Sequence, residues 1–401
     1  MMTNFDLIII GAGPAGLTLA SELKDSSLKI LILDKKKNAS DVSYNTSGSF
    51  IDPAEWGLPE SVLHPIYESQ FFSKNELAIK RGSACIIDRQ KLLIYLEKKA
   101  LENSNLVIEY DAKVVNFEIT NSYVKGLVYL KQNKEHSVQA RLFADCSGSS
   151  ALLGIKMKLA PKKTVIALGA EYVVPLKTEE NTADLFIGSN FLGGYAWIFP
   201  KDSKYAIIGY GSLDKSCFNK VEAILKSMWD LKRVQDRCEL NPIEKHFAII
   251  RTGMPLKKFN KNNVIIIGDV ALQANPLVGE GLRFVMDAAK MASKSVKMAI
   301  EKNNDKFLTD YSKAWVKKYY KKFKLCYFMQ KLIQKISDND HRLDRGVKKL
   351  AKISNEDFGR LLSGDLTYWF LFRIGFFSLL KKYFFNYYTY FCDFNRKNKY
   401  K

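Results

Sequence analysis

Three closely spaced glycines and a downstream carboxylate are the first residues in the chain with the types and spacing to bind a ligand. Gly11, Gly13 and Gly16 form a G-x-G-x-x-G pattern directly after the largely apolar run 5–10. In such a pattern the first glycine permits a tight turn, the second lets backbone amides approach a pyrophosphate, and the third lets a helix pack closely on a strand. Asp34 follows Gly16 by 18 residues, near the spacing of an acid that binds a ribose. These residues predict a dinucleotide site.

Regular elements are expected to hold these residues in place. The run 5–10 is typical of a parallel strand that is buried on both faces. Residues 14–23 are expected to form a helix whose first amides, including that of Ala15, face the phosphates. A second apolar strand, 28–33, leads directly to Asp34. Because a carboxylate at this point repels a 2′-phosphate, we do not expect this turn to bind NADP.

A second glycine-rich segment lies more than 250 residues downstream of the first. Gly268 and Asp269 follow the apolar run 264–267, and Asp269 is suited to accept hydrogen bonds from ribityl or ribose hydroxyls. The chain then passes three further turn residues before a predicted helix: Pro276, Gly279 and Gly281. The amides at the start of that helix suit the N1–C2=O edge of a flavin, which becomes negative on reduction. A long dinucleotide held at both ends favours FAD over NAD.

Two segments between these turns carry further candidate ligands of the cofactor. Asp88 is suited to cap a helix over residues 90–101, and Arg89 is then placed to reach a cofactor phosphate or the flavin edge. Residues 142–148 have the pattern of another buried strand that ends in an acid, Asp145, and a glycine turn. The cofactor-binding sheet is therefore expected to draw on at least three separated stretches of chain.

These motifs together resemble the geranylgeranyl reductase family of FAD-dependent oxidoreductases, which share the p-hydroxybenzoate hydroxylase-like fold. The resemblance extends over nearly the whole chain, and the segment Tyr195-Ala196-Trp197-Ile198-Phe199-Pro200 is similar to the family's YxWxFP motif. It implies an α/β fold with a Rossmann-like FAD-binding domain, an antiparallel-sheet substrate domain and a C-terminal helical region. It also implies reduction of C=C bonds in the prenyl chains of a lipid or isoprenoid substrate, by hydride transfer from N5 of the reduced flavin.

The resemblance assigns Tyr195 and Trp197 to the wall of an apolar substrate tunnel, with Tyr195 or water as the proton source. On a strand, these two residues share one face with Phe199. The alternative interpretation is that these aromatic residues form a stripe in the protein core and contact no substrate. One departure from the family pattern lies at residues 44–49, where relatives often carry a Pro-Cys-Gly turn and this chain has no cysteine. We therefore do not expect a cysteine-dependent reaction step at this turn.

Three other activities share parts of this pattern. Flavin-dependent halogenases have a similar Asp-Cys-Ser-Gly turn, but no lysine of this chain can be assigned their halogenating role. Aromatic monooxygenases usually have Asp-Gly where this chain has Asp145-Cys146. Lycopene cyclases share the first glycine turn and an isoprenoid substrate but perform no net redox step. The sequence does not distinguish NADPH from ferredoxin, or another electron donor protein, as the reductant.

The predicted elements divide the chain into four parts. Residues 1–155 form the first part of the FAD-binding domain, with an excursion into the substrate domain near 45–80. Residues 156–260 form the substrate domain, residues 261–300 the second part of the FAD-binding domain, and residues 301–401 a basic, aromatic helical region. The substrate domain is expected to contain a helix over 221–231 and four strands of a mostly antiparallel sheet: 165–174, 183–187, 195–199 and 205–210.

Charge and composition bear on location and partners. The net charge is +20, and residues 301–401 contain 23 Lys/Arg and 10 Asp/Glu, which gives +13 in that region. Lysines 313–324 alternate with aromatic residues, and a second basic, aromatic stretch spans 368–388. This composition favours peripheral docking on a membrane surface, with a helical cap that buries its aromatics as the alternative. No nucleic-acid-binding module is recognisable.

Cysteine usage and hydropathy point to the cytoplasm. The six cysteines include no CxxC pair, which argues against a metal site or a disulfide framework and fits a reducing compartment. The N-terminus lacks the basic segment of a signal peptide. No run of residues reaches the roughly 18–20 apolar residues that a spanning helix needs. We therefore expect a cytoplasmic protein that is peripheral at the membrane.

Overall fold

The computed structural model describes residues 4–45 and 47–375. Its strands, in chain order, are β1 (Asn4–Ile10), β2 (Ile30–Leu33), β3 (Gly48–Ser49), β4 (Leu63–Phe72), β5 (Leu77–Ile87), β6 (Leu106–Glu109), β7 (Lys113–Thr120), β8 (Tyr123–Lys131), β9 (Lys134–Asp145), β10 (Val165–Pro175), β11 (Thr182–Phe186), β12 (Tyr195–Pro200), β13 (Tyr205–Ser212), β14 (Glu244–Thr252), β15 (Asn260–Lys261) and β16 (Val264–Ile266). Its α-helices are α1 (Pro14–Glu22), α2 (Pro53–Trp56), α3 (Arg89–Ala100), α4 (Leu152–Lys156), α5 (Val221–Ser227), α6 (Lys232–Arg237), α7 (Leu282–Glu301), α8 (Leu308–Trp315), α9 (Lys321–Ile336), α10 (Asp340–Lys352), α11 (Asn355–Ser363) and α12 (Tyr368–Arg373).

The first sheet places three chain turns at one edge. Its parallel strands run in the order β16–β9–β1–β2–β6, with β15 antiparallel at one side and the β7–β8 hairpin attached through β9. Ile10 pairs with Asp145, and Asp145 pairs with Ile266. Because these strands are parallel and in register, the turns that follow β1, β9 and β16 meet at the same edge. In doubly wound folds this carboxyl edge is where ligands bind.

The second sheet carries the aromatic strand. Its order is β14–β10–β13–β12–β11–β4–β5–β3, and every adjacent pair is antiparallel except β11–β4. The four strands predicted between 165 and 210 are confirmed as β10 to β13. Strand β14, at the edge of this sheet, was not predicted. Residues 48–87 supply β3, β4 and β5, so the chain leaves the first sheet after β2 and returns to it through α3 and β6.

The basic, aromatic segment 313–324 spans the end of α8, a π-helical turn and the start of α9, and several of its aromatic side chains pack against α7. A π-helical turn, Val316–Tyr320, joins α8 to α9. Trp315, Tyr319 and Phe323 are 0–7% exposed, and Phe284 of α7 contacts Tyr319 and Phe323 edge to face, with ring centroids 5.3 and 4.8 Å apart. These three aromatics of the 313–324 segment are therefore core residues, as the helical-cap alternative requires.

Several predicted elements differ by one or two residues at their ends, and two end early at a 3-10 turn. The helix expected over 221–231 ends at Ser227 and continues as a 3-10 turn, Met228–Asp230, a common tightening at helix ends. The strand expected over 264–267 ends at Ile266, because Ile267 leads into a 3-10 turn at Gly268–Ala271. Within residues 4–45 and 47–375, no helix is long and apolar enough to cross a membrane. The five described cysteines are buried and unpaired.

Candidate active site

The first glycine turn has the geometry that its pattern predicts. Gly11 has φ +107°, and a β-carbon at this position would lie 2.4 Å from the Cys146 carbonyl oxygen. A β-carbon at Gly16 would lie 1.9 Å from the Gly11 carbonyl oxygen, so α1 packs on the turn only because residue 16 is glycine. At Gly13 no atom of the described residues lies within 4 Å of that position. The turn therefore leaves open space where a pyrophosphate would approach.

Asp34 closes the gap between β2 and the glycine turn. Its Oδ2 accepts a hydrogen bond from the Ala12 amide at 2.6 Å, and its Oδ1 accepts one from the Lys36 amide at 3.0 Å. The Lys36 ammonium donates to the Ala12 carbonyl at 2.7 Å, and burial lowers its pKa although Asp34 opposes that effect. Asp34 and Lys36 both line the main cavity. A carboxylate oxygen has two lone pairs, so each can still accept a hydrogen bond from a ribose hydroxyl.

The structure does not bring Asp145 to the cavity as a direct cofactor ligand, and this differs from the sequence prediction. Asp145 is 0% exposed and accepts backbone hydrogen bonds from Ser147 at 3.0 Å and Gly154 at 2.7 Å. Burial raises its pKa, and these hydrogen bonds oppose the rise. Its carboxylate holds the turn after β9 and the start of α4 in place. Cys146, Ser147 and Gly148, which follow it, line the cavity instead.

The second turn brings an acid and two arginines together. Gly268 has φ +86°, and its amide donates to the Gln273 side chain at 2.8 Å. Burial raises the pKa of Asp269 to about 6, although the nearby guanidinium groups of Arg89 and Arg251 lower it. The structure therefore brings Arg89, from the start of α3, close to the turn after β16. Arg251 is a buried residue of β14 that was not predicted, since nothing in its flanking sequence distinguishes it.

Glu280 joins the second turn to the β3 segment. Its Oε1 accepts hydrogen bonds from the Ser49 hydroxyl at 2.7 Å and the Phe50 amide at 3.2 Å. Arg283 donates to its Oε2 at 3.1 Å. Glu280 is 7% exposed, so these partners satisfy a carboxylate that would otherwise be costly to bury. The sequence showed Glu280 between two glycines, but Ser49 and Phe50 lie 230 or more residues away and gave no local signal.

The aromatic strand faces the same cavity. The ring of Trp197 contacts those of Tyr195 and Phe199, with centroids 5.5 and 5.9 Å away, so the predicted shared face is confirmed. The Tyr195 hydroxyl donates to the Val278 carbonyl at 2.7 Å, and burial raises the pKa of Tyr195 to about 12. Tyr195 therefore keeps its proton near neutral pH. Its hydrogen bond fixes the 276–281 turn against the second sheet.

Trp197 lies flat against β13 because its cross-strand neighbour has no side chain. Trp197 pairs with Gly209, and a β-carbon at Gly209 would lie 2.1 Å from the indole ring. At Gly211 the same atom would lie 3.4 Å from the ring, which is an ordinary contact. Gly209 is thus a positioning residue for Trp197. It was not singled out from the sequence.

Most of these groups surround one cavity of about 1350 Å³. Pockets for a single small ligand usually measure about 300–1,000 Å³, so this cavity has room for a dinucleotide and a second molecule. Every predicted site residue except Gly16 and Asp145 lines it: Gly11, Gly13, Ala15, Asp34, Arg89, Tyr195, Trp197, Gly268, Asp269, Pro276, Gly279 and Gly281. Beyond the aromatic strand, its walls come from α9, α10 and α11 and are mostly aliphatic.

A thiol also reaches the cavity, although none was expected from residues 44–49. Cys85 on β5 pairs with Ser49 of β3 and lines the cavity. Burial and the nearby Glu280 raise the pKa of Cys85 to about 12, so the group is a neutral thiol. The neighbouring strand therefore supplies a sulfur close to the segment in which the family's cysteine is missing.

The residues present fit FAD. Gly13 and Gly148 leave open space at adjacent turns of the carboxyl edge. Thr252 Oγ1 and Asn275 Nδ2 are buried and have no hydrogen-bond partner among the described residues, and both residues line the cavity. Buried polar atoms are rarely left unpaired, so these two are candidates to bind a polar ligand. Arg89 supplies positive charge near the same edge.

Comparison with known proteins agrees with this description. Residues 8–138 match the family model of pyridine nucleotide-disulphide oxidoreductases, and residues 166–250 match the geranylgeranyl reductase catalytic domain. Digeranylgeranylglycerophospholipid reductase 2 of Methanopyrus kandleri is 25% identical over 381 residues, which cover 90% of this chain and 93% of the relative. The digeranylgeranylglycerophospholipid reductase of Methanococcus aeolicus is 25% identical over 357 residues, which cover 84% and 88% of the two chains.

Solved structures share the fold. A geranylgeranyl bacteriochlorophyll reductase-like protein from Thermoplasma acidophilum superposes with a TM-score of 0.80 at 18% identity and covers 88% of this chain and 93% of that chain. A flavin-dependent brominase superposes with a TM-score of 0.66 at 15% identity, over 87% and 94% of the two chains. The fold and the site define an FAD-dependent oxidoreductase in which a Rossmann-like sheet is joined to an antiparallel sheet. Within that class, the chain is most clearly similar to geranylgeranyl reductases, through the catalytic-domain match at residues 166–250 and through relatives that align over most of its length.

Proposed function

We propose that this protein is an FAD-dependent reductase that saturates C=C bonds in the geranylgeranyl or other prenyl chains of a lipid. One observation supports this most strongly. The cavity continues from the dinucleotide edge, past Tyr195 and Trp197, into an aliphatic compartment between α9, α10 and α11. Such a shape suits a long apolar chain whose double bonds pass beside the cofactor. The names of the relatives, digeranylgeranylglycerophospholipid reductases, point to the same substrate class.

In this mechanism, bound and reduced FAD supplies the hydride that one alkene carbon accepts. The chain's own residues align and enclose the reacting atoms. Tyr195, Trp197 and Phe199 form an aromatic wall against which a prenyl double bond can be held. The aliphatic compartment excludes bulk water from the rest of the prenyl chain. Because the Tyr195 hydroxyl donates to the Val278 carbonyl and its pKa is about 12, water is the better candidate for the proton that the second carbon needs.

A single-turnover experiment tests the proposal. The purified protein would be reduced with dithionite under anaerobic conditions and mixed with a geranylgeranyl lipid. Oxidation of the flavin without oxygen, with a gain of one hydrogen pair per reduced bond in the product mass, is the expected result. A product that needs oxygen and carries a hydroxyl or halogen would instead identify a monooxygenase or halogenase. An isomerised product with no change in flavin redox state would identify a cyclase-like reaction.

We further propose that the enzyme collects its substrate at a membrane surface. The exposed aromatics of α12 are Tyr368, Trp369 and Phe372, which are 56–73% accessible to solvent. Arg373 follows them directly at the end of the helix. Aromatic side chains beside a cation are typical of a helix that lies in a membrane interface. The other aromatic residues of this predicted stretch, 376–388, lie outside the described residues.

The reductant that recharges FAD is proposed to be either NADPH or an electron donor protein such as ferredoxin. Asp34 remains the argument against NADPH in the first glycine turn, since its carboxylate would repel the 2′-phosphate. A stopped-flow comparison of flavin reduction by NADPH and by reduced ferredoxin distinguishes the two. A cytoplasmic enzyme that is peripheral at the membrane has access to either donor.

A further inference from the structure

The second glycine turn is held from the protein interior by a glutamine that follows it. The Gly268 amide donates to Oε1 of Gln273 at 2.8 Å, and the Gln273 amide donates to the Gly268 carbonyl at 3.2 Å. Gln273 is 0% exposed and does not line the cavity, whereas Gly268 and Asp269 do. The glutamine therefore closes the turn without occupying the space that faces a ligand.

Tyr311 of α8 joins this glutamine to the end of the strand. Gln273 Nε2 donates to the Tyr311 hydroxyl at 2.8 Å, and that hydroxyl donates to the Ile266 carbonyl at 3.1 Å. Ile266 is the last residue of β16. A single hydroxyl group thus connects the strand before the turn with the side chain that closes the turn.

The direction of these hydrogen bonds is fixed. Because the Gln273 side-chain oxygen accepts from a backbone amide, its nitrogen is the donor to Tyr311. Tyr311 is 0% exposed, and burial raises the pKa of its hydroxyl, which therefore keeps its proton and donates it to the Ile266 carbonyl. Removal of either side chain would leave buried polar groups unpaired, which is costly.

Helix α8 is attached to the same strands by further contacts. Ser312 Oγ donates to Asn260 Oδ1 at 2.8 Å and accepts from the Phe259 amide at 3.0 Å. The Phe259 ring packs against that of Tyr311, with centroids 5.6 Å apart. Asn260 begins β15, which pairs with β16. The position of Tyr311 is therefore set relative to the strand that carries the turn.

Neither Tyr311 nor Gln273 lines the cavity. A ligand in the cavity therefore meets the turn, with its acid Asp269, and does not meet the two side chains behind it. Any effect of Tyr311 on a cofactor passes through the position of the turn.

We propose that Tyr311 is a positioning residue for FAD, which acts through Gln273 to hold the Gly268–Ala271 turn in the geometry that binds the cofactor. Part of the region 301–401 then belongs to the cofactor site, in addition to the helices that enclose the aliphatic compartment. This inference rests on the assignment of FAD in the proposed function and is independent of the identity of the substrate.

The experiment compares variants of the full-length, FAD-loaded protein. Tyr311→Phe removes the hydroxyl, Gln273→Met removes the amide, and the double variant removes both. Tyr319→Phe is the matched control, because the Tyr319 hydroxyl also belongs to a buried ring but donates to Asp287 of α7 at 2.6 Å. Equilibrium dialysis measures the Kd of FAD, and a dye-coupled reductive titration measures the midpoint potential of the bound flavin.

We expect Tyr311→Phe to raise the Kd of FAD about tenfold, because a buried hydrogen bond that holds the turn is lost. The midpoint potential of the remaining bound FAD should also differ from that of wild type, because the charge of Asp269 moves with the turn. Since Tyr311 acts through Gln273, the double variant should raise the Kd by less than the product of the two single effects. Tyr319→Phe should leave the Kd and the potential unchanged.

A wild-type Kd and midpoint potential in Tyr311→Phe would overturn the inference. Equal changes in Tyr319→Phe would also overturn it, because they would show a general loss of stability. A double variant that shows the full product of the single effects would exclude action through Gln273.

The proposed function fails in a different way. Failure of wild type to bind FAD would refute it, whereas wild type that binds FAD but reduces no prenyl lipid would refute the substrate and leave the role of Tyr311 intact. Circular dichroism would show that each variant is folded. If Gln273→Met does not fold, the comparison of Tyr311→Phe with Tyr319→Phe decides alone.

Discussion

At the residue scale, Tyr195 links the two sheets through one hydrogen bond. It belongs to the second sheet, but its hydroxyl donates to Val278, in the turn that follows the last strand of the first. The ring packs on Trp197 at the same time. Tyr195, which the sequence predicts to contact the substrate, therefore also holds the turn that is proposed to bind the cofactor.

Tyr195→Phe should keep the aromatic wall but lose the hydrogen bond that holds the 276–281 turn. We expect a loss of about 1 kcal/mol in the free energy of unfolding, weaker retention of FAD and slower prenyl reduction. Tyr210→Phe is a matched control, because the Tyr210 hydroxyl also donates to a backbone carbonyl, that of Phe191, at 2.9 Å but outside the cavity lining. It should show a similar loss of stability with normal FAD retention. Equal FAD retention in both variants would contradict this role of Tyr195.

Asp269 gives the cofactor-free protein a predictable pH dependence. Its pKa is about 6 in the folded state and 3.8 as its ordinary value. Between about pH 4 and pH 6 the folded state therefore binds more protons than the unfolded state, and this carboxyl's contribution to stability falls as the pH rises. Asp269→Asn cannot ionise. The free energy of unfolding of the variant minus that of wild type should rise over this window and level off above it.

Urea denaturation of both proteins at a series of pH values, from about pH 4 to about pH 7, measures this difference. A difference that stays constant over the whole series would show that Asp269 ionises normally in the folded state. The attraction of Arg89 and Arg251 to the ionised carboxylate already lowers the pKa of Asp269, so its loss in the variant belongs to the pH-dependent part.

At the element scale, β12 and β13 pack together because a large side chain on one strand lies opposite a glycine on the other. Trp197 occupies the surface that Gly209 leaves free, while Gly211, two residues along β13, faces the edge of the same ring at a normal distance. Gly209→Ala should therefore displace the indole, lower prenyl-reduction activity and destabilise the protein by about 1–3 kcal/mol through overpacking. Gly211→Ala on the same strand should be tolerated. Chemical denaturation and kcat measured for both variants check this, and equal behaviour would refute the assignment of Gly209.

The elements could be predicted where the pattern is local. The first glycine turn, the four central strands of the second sheet and the Asp88 cap of α3 all follow from neighbouring residues, and the structure contains each of them. Asp145 was predicted to bind the cofactor because its strand ends in an acid and a glycine turn. The same pattern arises when the acid binds nearby backbone amides, and in the structure the Asp145 carboxylate accepts two such hydrogen bonds.

The remaining parts of the site depend on contacts between distant residues. Arg251, Cys85 and Gly209 lie in ordinary strand sequences. Only the register of the second sheet brings Cys85 to the cavity and Gly209 opposite Trp197, and only the folded chain brings Arg251 near Asp269. Glu280 was visible between two glycines, but its partners Ser49 and Phe50 could not be inferred. The aliphatic compartment is likewise formed by three helices whose cavity faces resemble those of any packed helix.

At the scale of the whole molecule, the C-terminal region divides into a packed part and an exposed part. Leu366, Phe370 and Leu371 belong to a buried cluster with Cys326 and Met329. Truncation before Leu366 would therefore remove core residues as well as any membrane contact. Point substitutions on the exposed face of α12 separate the two effects.

Trp369→Ser/Phe372→Ser should weaken binding to anionic vesicles and leave the free energy of unfolding nearly unchanged, since both side chains are mostly exposed. Tyr67→Ser is a control, because Tyr67 is 60% exposed on β4 of the second sheet. Flotation with phosphatidylglycerol vesicles measures the binding. Vesicle binding that is the same in wild type and the Trp369/Phe372 variant would remove α12 from the proposed membrane contact.

The three turns at the carboxyl edge also determine when the FAD site can form during translation. Gly11 leaves the ribosome early, but the turn at Gly268 and the hydrogen bond between Ser49 and Glu280, which spans 231 residues, require most of the chain. Domains that close through such distant contacts fold late during translation. A nascent chain stalled before Glu280 would therefore hold FAD weakly, and cofactor loading becomes an event of the nearly finished polypeptide.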